Sequence, residues 1–201
     1  GIFLDNPGKV TFDLGYTQQD TAEITMDSWY MDLYFIDGKD LKDIVKQFRH
    51  MIGLSYIPPK WAFGFGQSRW GYKSEEDIRE VEQRYRELGI PLDSIYLDID
   101  YMERFKDFTL NNETFPDFPE FVKEMQEKHI HLVPIIDAGV KIEEGYPVYE
   151  EGVEKGYFCK EKDGKDFVAA VWPGRVHFPD MLNPEARRWF GLKYKFLLDE
   201  G

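Results

Sequence analysis

The chain has 201 residues, 25 of them basic and 38 acidic, for a net charge of −13. That field repels phosphate backbones and anionic headgroups, and no Lys/Arg cluster offsets it locally, so the charge excludes nucleic acid and a membrane surface as partners. No apolar run approaches the ~18 residues of a membrane span, and one cysteine with four scattered histidines supports neither an internal disulfide nor a zinc site. The opening GIFLDNPGKV has neither the basic nor the apolar region of a signal peptide, and a lone Cys159 fits a reduced, cytoplasmic setting.

Residues 1–38 are expected to be strands, the last piece of an all-β domain. Val10 to Tyr16 alternates loosely, Tyr30 to Ile36 is apolar and aromatic, and Asn6-Pro7-Gly8 marks a turn. Residues 39–59 form a linker. Leu41, Ile44, Val45, Phe48 and Ile52 recur at helical spacing, Gly53 stops that helix, and Ile57-Pro58-Pro59 enforces an extended connection.

From residue 60 to 201 the rhythm becomes strand, helix, strand, helix. Trp61 to Gly66 is apolar on both faces, as a buried parallel strand should be. Ser74 caps a helix that Gly89 closes, Ser94 to Ile99 is the second strand, and Pro119 to His129 the second helix. His131 to Asp137 is the third strand. The stretch from Ala138 to Asp180 shows little helical periodicity, with a hairpin expected between Tyr157–Lys160 and Phe167–Val171. Asn183 caps a third helix running to about Glu200, with Gly201 as its C′ residue. The alternation implies a parallel α/β sheet. Neither GxGxxG nor GxxxxGK[ST] occurs, which favours a (β/α) barrel over an open nucleotide-binding sheet.

In such a barrel the site lies at the C-terminal strand ends, here Gly66–Tyr72, Asp98–Met102 and Asp137–Val140. Acids and aromatics gather there. Carboxylates accept protons from sugar hydroxyls and aromatic planes cover the apolar ring face, so the pattern suits a neutral polyhydroxylated ligand. Asp98 and Asp100 would stand roughly 7 Å apart on one strand face, near a glycosidase carboxylate separation. Both would approach from one side, however, whereas a catalytic pair must flank the scissile bond, so they are expected to bind or to support. His129 and His131 lie at the far end of the sheet, His177 has no evident carboxylate partner, and no G-x-S-x-G is present.

Four collinear segments then carry a resemblance: Trp61–Val81 (WAFGFGQSRWGYKSEEDIREV), Ile95–Met102 (IYLDIDYM), Val133–Val140 (VPIIDAGV) and Val171–Phe190 (VWPGRVHFPDMLNPEARRWF). Together they resemble the early barrel motifs of glycoside hydrolase family 31, of the bacterial α-glucosidase type. The resemblance implies a partial (β/α)8 TIM barrel preceded by the last strands of a β-sandwich, truncated before the fourth barrel strand. It also implies a retaining α-glucosidase acting on terminal non-reducing α-linked glucose of oligosaccharides, without metal or organic cofactor. By the same resemblance Asp98 would bind sugar hydroxyls in the −1 subsite with Ile99 beside it, and Trp70, Ile135, Asp137 and Trp172 would line the pocket. The nucleophile and acid/base aspartates would lie beyond Gly201, so the chain alone is expected to be inactive. Its expected partners are an α-glucoside oligosaccharide and the remainder of the barrel, or further copies of itself through open strand edges. An α-xylosidase of the same family and a non-catalytic carbohydrate-binding or assembly module are the alternatives.

Overall fold

The computed structural model describes residues 1–199, and the chain divides into two compact units, Gly1–Ile57 and Pro58–Gly201. In the first unit β1 (Ile2–Leu4) pairs antiparallel with β4 (Leu33–Phe35), and β2 (Val10–Leu14) with β3 (Ala22–Met26). The expected strand over Tyr30 to Ile36 is thus shortened to three residues. Helix α1 (Leu41–Ile52) begins where the Asp40 side chain accepts from Asp43 N–H, and it ends at Gly53, whose φ of 99° needs a residue without Cβ. Phe3 packs edge-on against Phe48 at 5.1 Å and stacks on Tyr34 at 5.7 Å. No residue of this unit is buried. Two-stranded ribbons have only one pair of neighbours to hide behind, so this outcome follows from their size.

The second unit holds a three-stranded parallel sheet in the order β5 (Gly66–Ser68), β6 (Ser94–Leu97), β7 (His131–Pro134). Gly66, Ser94 and His131 stand in register, as do Ser68, Tyr96 and Val133. The expected strand from Trp61 is corrected here: Lys60–Phe63 is a 3-10 turn and the ladder starts only at Gly66. Asp93 is the reason. Its carboxylate accepts from Phe65 N–H at 3.1 Å, and a Cβ on Gly64 would stand 2.1 Å from its Oδ2. The glycine lets this carboxylate replace a strand neighbour. At the base of the sheet Trp61 stacks on His131 at 4.1 Å, a packing role for that histidine.

Helix α2 (Glu75–Glu87) opens with a capping box between Ser74 and Asp77, and Gly89 follows it at φ 66°. Helix α3 (Phe118–Glu127) is capped by Asp117 with Pro119 in its first turn, and His129 takes the left-handed φ of 59° beyond its end. Ile95 and Leu97 on β6 face these helices and are buried among Ile78, Phe121, Met125 and Ile130. Each such side chain contributes about 2 kcal/mol by leaving water. Arg79 joins the helices, bonding Glu75 within α2 and Glu124 of α3, each at 2.9 Å, over the Phe121 ring.

Beyond β7 a second sheet runs β8 (Val140–Lys141), β10 (Gly174–His177), β9 (Ala169–Val171), all antiparallel. The expected hairpin between Tyr157–Lys160 and Phe167–Val171 is therefore corrected for its Val171 end, which pairs with β10. The two-residue Trp172-Pro173 turn joins β9 to β10, with Gly174 at φ 101°, and the expected pairing survives only at its tip, where Lys160 bridges Asp166 and Phe167 N–H donates to Cys159 O at 2.8 Å. Helix α4 (Pro147–Glu154) lies in the stretch expected to lack helix. Its Gly152 weakens the pattern but is required, since a Cβ there would meet the buried Phe158 ring at 2.3 Å. Helix α5 (Pro184–Lys193) is capped by Asn183, and Tyr194 separates it from α6 (Lys195–Asp199). Glu200 and Gly201, the expected end of that helix, lie outside the described residues. Phe108, Val140, Tyr146, Phe158, Trp189 and Phe190 form a second core here.

Candidate active site

Three parallel strands deliver their C-terminal ends to one edge of the sheet. On the face away from α2 and α3, Gly66 has no Cβ because Ser94 Oγ and the Tyr96 ring stand within 3 Å of where one would be. Ser68, Tyr96, Leu97, Asp98, Val133, Pro134 and Ile135 then surround an open hollow of about 330 Å³. Tyr96 and Ile135 are each more than two-fifths exposed on this face, whereas Ile95 and Leu97 one residue away are buried. The period-2 alternation of β6 sorts core from site.

Asp98 begins where β6 stops. It caps a 3-10 turn over Ile99–Tyr101, with Oδ1 accepting from Ile99 N–H at 2.8 Å. That bond fixes the carboxylate at the strand end. The two-acids-on-a-strand geometry expected for Asp98 and Asp100 is accordingly corrected, because both belong to the turn. Asp100 sits near Gly71 and Lys73 with a buried, unpartnered Oδ2, and burial raises its carboxyl above the ordinary value despite Lys73. Ile99 is 4% exposed and belongs to the helix-side core, so it does not line the hollow.

Of the remaining expected residues, Ile135 lies in the hollow with Asp98. Trp70 is exposed in the loop between β5 and α2, and Trp172 is exposed at the tip of the β9–β10 turn. Neither borders the hollow in this chain. Asp137 follows β7, its N–H donating to Asp107 Oδ1 at 3.2 Å. Ser68 and Tyr96 border the hollow without having been singled out from sequence. The signal was there in the strand alternation, but it names a face without saying which face is covered. Among the described residues no group of His, Cys, Asp and Glu could hold a metal ion, and no helix is long and apolar enough to cross a membrane.

The loop between β6 and α3 braces this edge. Lys106 is buried, lies over the Tyr146 ring, and bonds Glu143 at 3.1 Å; Arg104 reaches the same carboxylate. Hydrogen bonds from Lys141 and Lys106 hold the Glu143 carboxyl down to about 2.

A family model described as the TIM-barrel domain of glycosyl hydrolases family 31 matches residues 55–201. The chain belongs to glycoside hydrolase family 31. Within the family it is 40% identical to alpha-glucosidase 2 of Bacillus thermoamyloliquefaciens over 100% of its own length and 25% of that protein's. Two solved family 31 structures superpose on the whole chain at 28% identity. One is a dextranase of Flavobacterium johnsoniae complexed with glucose, with a TM-score of 0.89 and 25% of its chain covered. The other is an alpha-glucosidase of Bacteroides thetaiotaomicron, with a TM-score of 0.86 and 34% covered. The chain thus spans about a quarter to a third of the length of these family 31 relatives. The three-stranded sheet is a partial family 31 barrel, and the hollow lies on the strand-end side where barrel enzymes keep their sites.

Proposed function

We propose that this chain forms one side of the sugar pocket of a retaining α-glucosidase, which releases terminal non-reducing α-linked glucose from oligosaccharides. The observation that carries the reading is the convergence of Asp98, Tyr96 and Ile135 on one hollow at the parallel strand ends, in a family 31 chain. The Asp98 carboxylate, anchored through Oδ1, accepts protons from sugar hydroxyls with its remaining lone pairs. Tyr96 and Ile135 give the apolar ring face a surface to cover, and Asp137, Trp70 and Trp172 extend the pocket outward. The nucleophile and acid/base carboxylates belong to the part of the barrel not in this chain, and the reaction proceeds without metal or organic cofactor. A covalent glycosyl-enzyme then splits the displacement into two steps that together retain the anomeric configuration. Cys159 is free, and on that ground we place the protein in a reducing cytoplasm.

The test is hydrolysis of 4-nitrophenyl α-glucoside and α-xyloside by the complete enzyme, with the first-formed anomer followed by NMR. Faster turnover of the glucoside with α-glucose appearing first is expected. Preference for the xyloside, or β-glucose first, overturns the substrate or the mechanism respectively. Residues 1–201 alone should give no turnover, and hydrolysis by this chain abolished by Asp98→Asn would place the nucleophile here.

A further inference from the structure

The sheet ladder fails just where the pocket begins. Ile135 N–H donates to Leu97 O at 3.0 Å, and beyond that bond β6 turns away into its 3-10 turn. Residues 135–137 therefore leave the strand with no ladder partner on that side. Two side chains of the β6–α3 connection take the ladder's place. Tyr101, fully buried, donates its hydroxyl to Ile135 O at 2.8 Å, and Asp107, 2% exposed, accepts from Asp137 N–H at 3.2 Å. Asp107 is itself held in place. Its carbonyl accepts the buried Tyr146 hydroxyl at 2.7 Å, and its neighbour Phe108, at the left-handed φ of 58°, is wedged edge-on against Phe190 and Tyr194.

We propose that Asp107 is a positioning residue of the sugar pocket: its buried carboxyl, with the Tyr101 hydroxyl, fixes the course of residues 135–137 and so sets where Ile135 and Asp137 meet the sugar. The proposal rests on the pocket reading above. A purely structural acid is a poor alternative, because Asp107 Oδ2 is buried without a partner and so adds nothing that offsets its own desolvation. Burial pushes this carboxyl up to about 8, against the Asp137 N–H bond, and an Asn side chain keeps the oxygen that accepts that N–H.

The experiment uses the complete enzyme with 4-nitrophenyl α-glucoside, with thermal unfolding followed in parallel. Asp107→Leu should lower kcat/KM at least tenfold with an unfolding midpoint close to that of the unmodified enzyme, while Asp107→Asn stays within about twofold in kcat/KM. In an Asp137→Ala background Asp107→Leu should cost less than about threefold more, since the residue it positions is already truncated. Tyr101→Phe, which keeps the ring, should lower kcat/KM about fivefold and carries the test if the leucine variant does not fold. Unchanged kinetics in Asp107→Leu, or in Tyr101→Phe if that leucine variant does not fold, overturns the proposal, as does an asparagine variant as impaired as the leucine one or full additivity with Asp137→Ala. Asp98→Asn separates the two readings. If it is impaired while Asp107→Leu is not, only the positioning role fails; if Asp98→Asn is itself unimpaired, the pocket reading fails first.

Discussion

Replacing Asp98 separates charge from geometry. Its Oδ1 anchors the strand end by accepting from Ile99 N–H, a bond that the asparagine oxygen of Asp98→Asn can still make. What Asn loses is the charge facing the hollow. A hydrogen bond to an ionised group contributes about 1.5–3 kcal/mol against 0.5–1.5 for a neutral one, so the change should cost about 1.4 kcal/mol, roughly tenfold in kcat/KM. Asp98→Ala removes the sugar bond and the turn anchor together and should cost about 2 kcal/mol or more, roughly thirtyfold. Steady-state kinetics of the complete enzyme on an aryl α-glucoside reads both. The expected order is unmodified enzyme, then Asn, then Ala. Unmodified kinetics in Asp98→Ala would refute a role for this carboxylate in sugar binding.

Arg79→Met should destabilise the second unit by about 1–2 kcal/mol in urea unfolding, between an exposed and a buried ion pair, because Glu75 is buried while Arg79 is partly exposed. Burial raises the Glu124 carboxyl, but hydrogen bonds from Lys128 and Arg79 outweigh it and hold it below the ordinary 4.5. Its stabilisation is therefore complete above that value and is lost as pH falls through the depressed folded value, and Arg79→Met should flatten this acid limb. Gly152→Ala gains about 1 kcal/mol of helix propensity but drives a methyl into a buried ring, and overpacking of about 1–3 kcal/mol should win, giving net loss of stability. The outer edges of β5 and β7 are unpaired among the described residues, so residues 1–201 alone should self-associate in sedimentation, more so as salt screens the net charge of −13; a compact monomer at all salt concentrations would contradict this.

Strand and helix alternation, the caps at Ser74 and Asn183, and the stops at Gly53 and Gly89 were legible because each has a local cause. Where distant residues decide, the sequence was silent. Trp61–Phe63 is apolar enough for a strand, but Asp93, some thirty positions later, takes the Phe65 N–H that would have extended the ladder. Gly152 looks like a helix breaker until the Phe158 ring is placed against it. The same holds in the site. Asp98 was legible from a strand end and Ile135 through the family resemblance, whereas Ile99, which the resemblance put beside Asp98, lies in the helix-side core with Ile95 and Leu97, the side that the alternation of β6 also gives it. Asp107 resembles any loop acid in sequence, since nothing local says that Tyr146, Phe108 and the chain after β7 will close over it.

The two faces of the parallel sheet show which half of the packing the second unit completes by itself. Toward α2 and α3, Ile95 and Leu97 are fully buried, and Glu75, Glu82 and Glu124 are paired with Arg79, Arg86 and Lys128. Toward the hollow, Tyr96 and Ile135 remain substantially exposed, with Ser68, Val133 and Pro134 beside them on the neighbouring strands' ends. Small residues at Gly66, Ser68 and Ser94 leave room for a large group opposite, and a barrel closing over this face would supply both cover and the opposing wall. A half-pocket of this kind can orient a sugar by one carboxylate and one aromatic face, yet it surrounds too little of the ring to bury most of it. Measurable glucose affinity should therefore appear only when the opposite wall is present. Calorimetric titration of glucose into residues 1–201 and into the complete enzyme compares the two directly, and equal affinity in both would mean that these strand ends make a full site on their own.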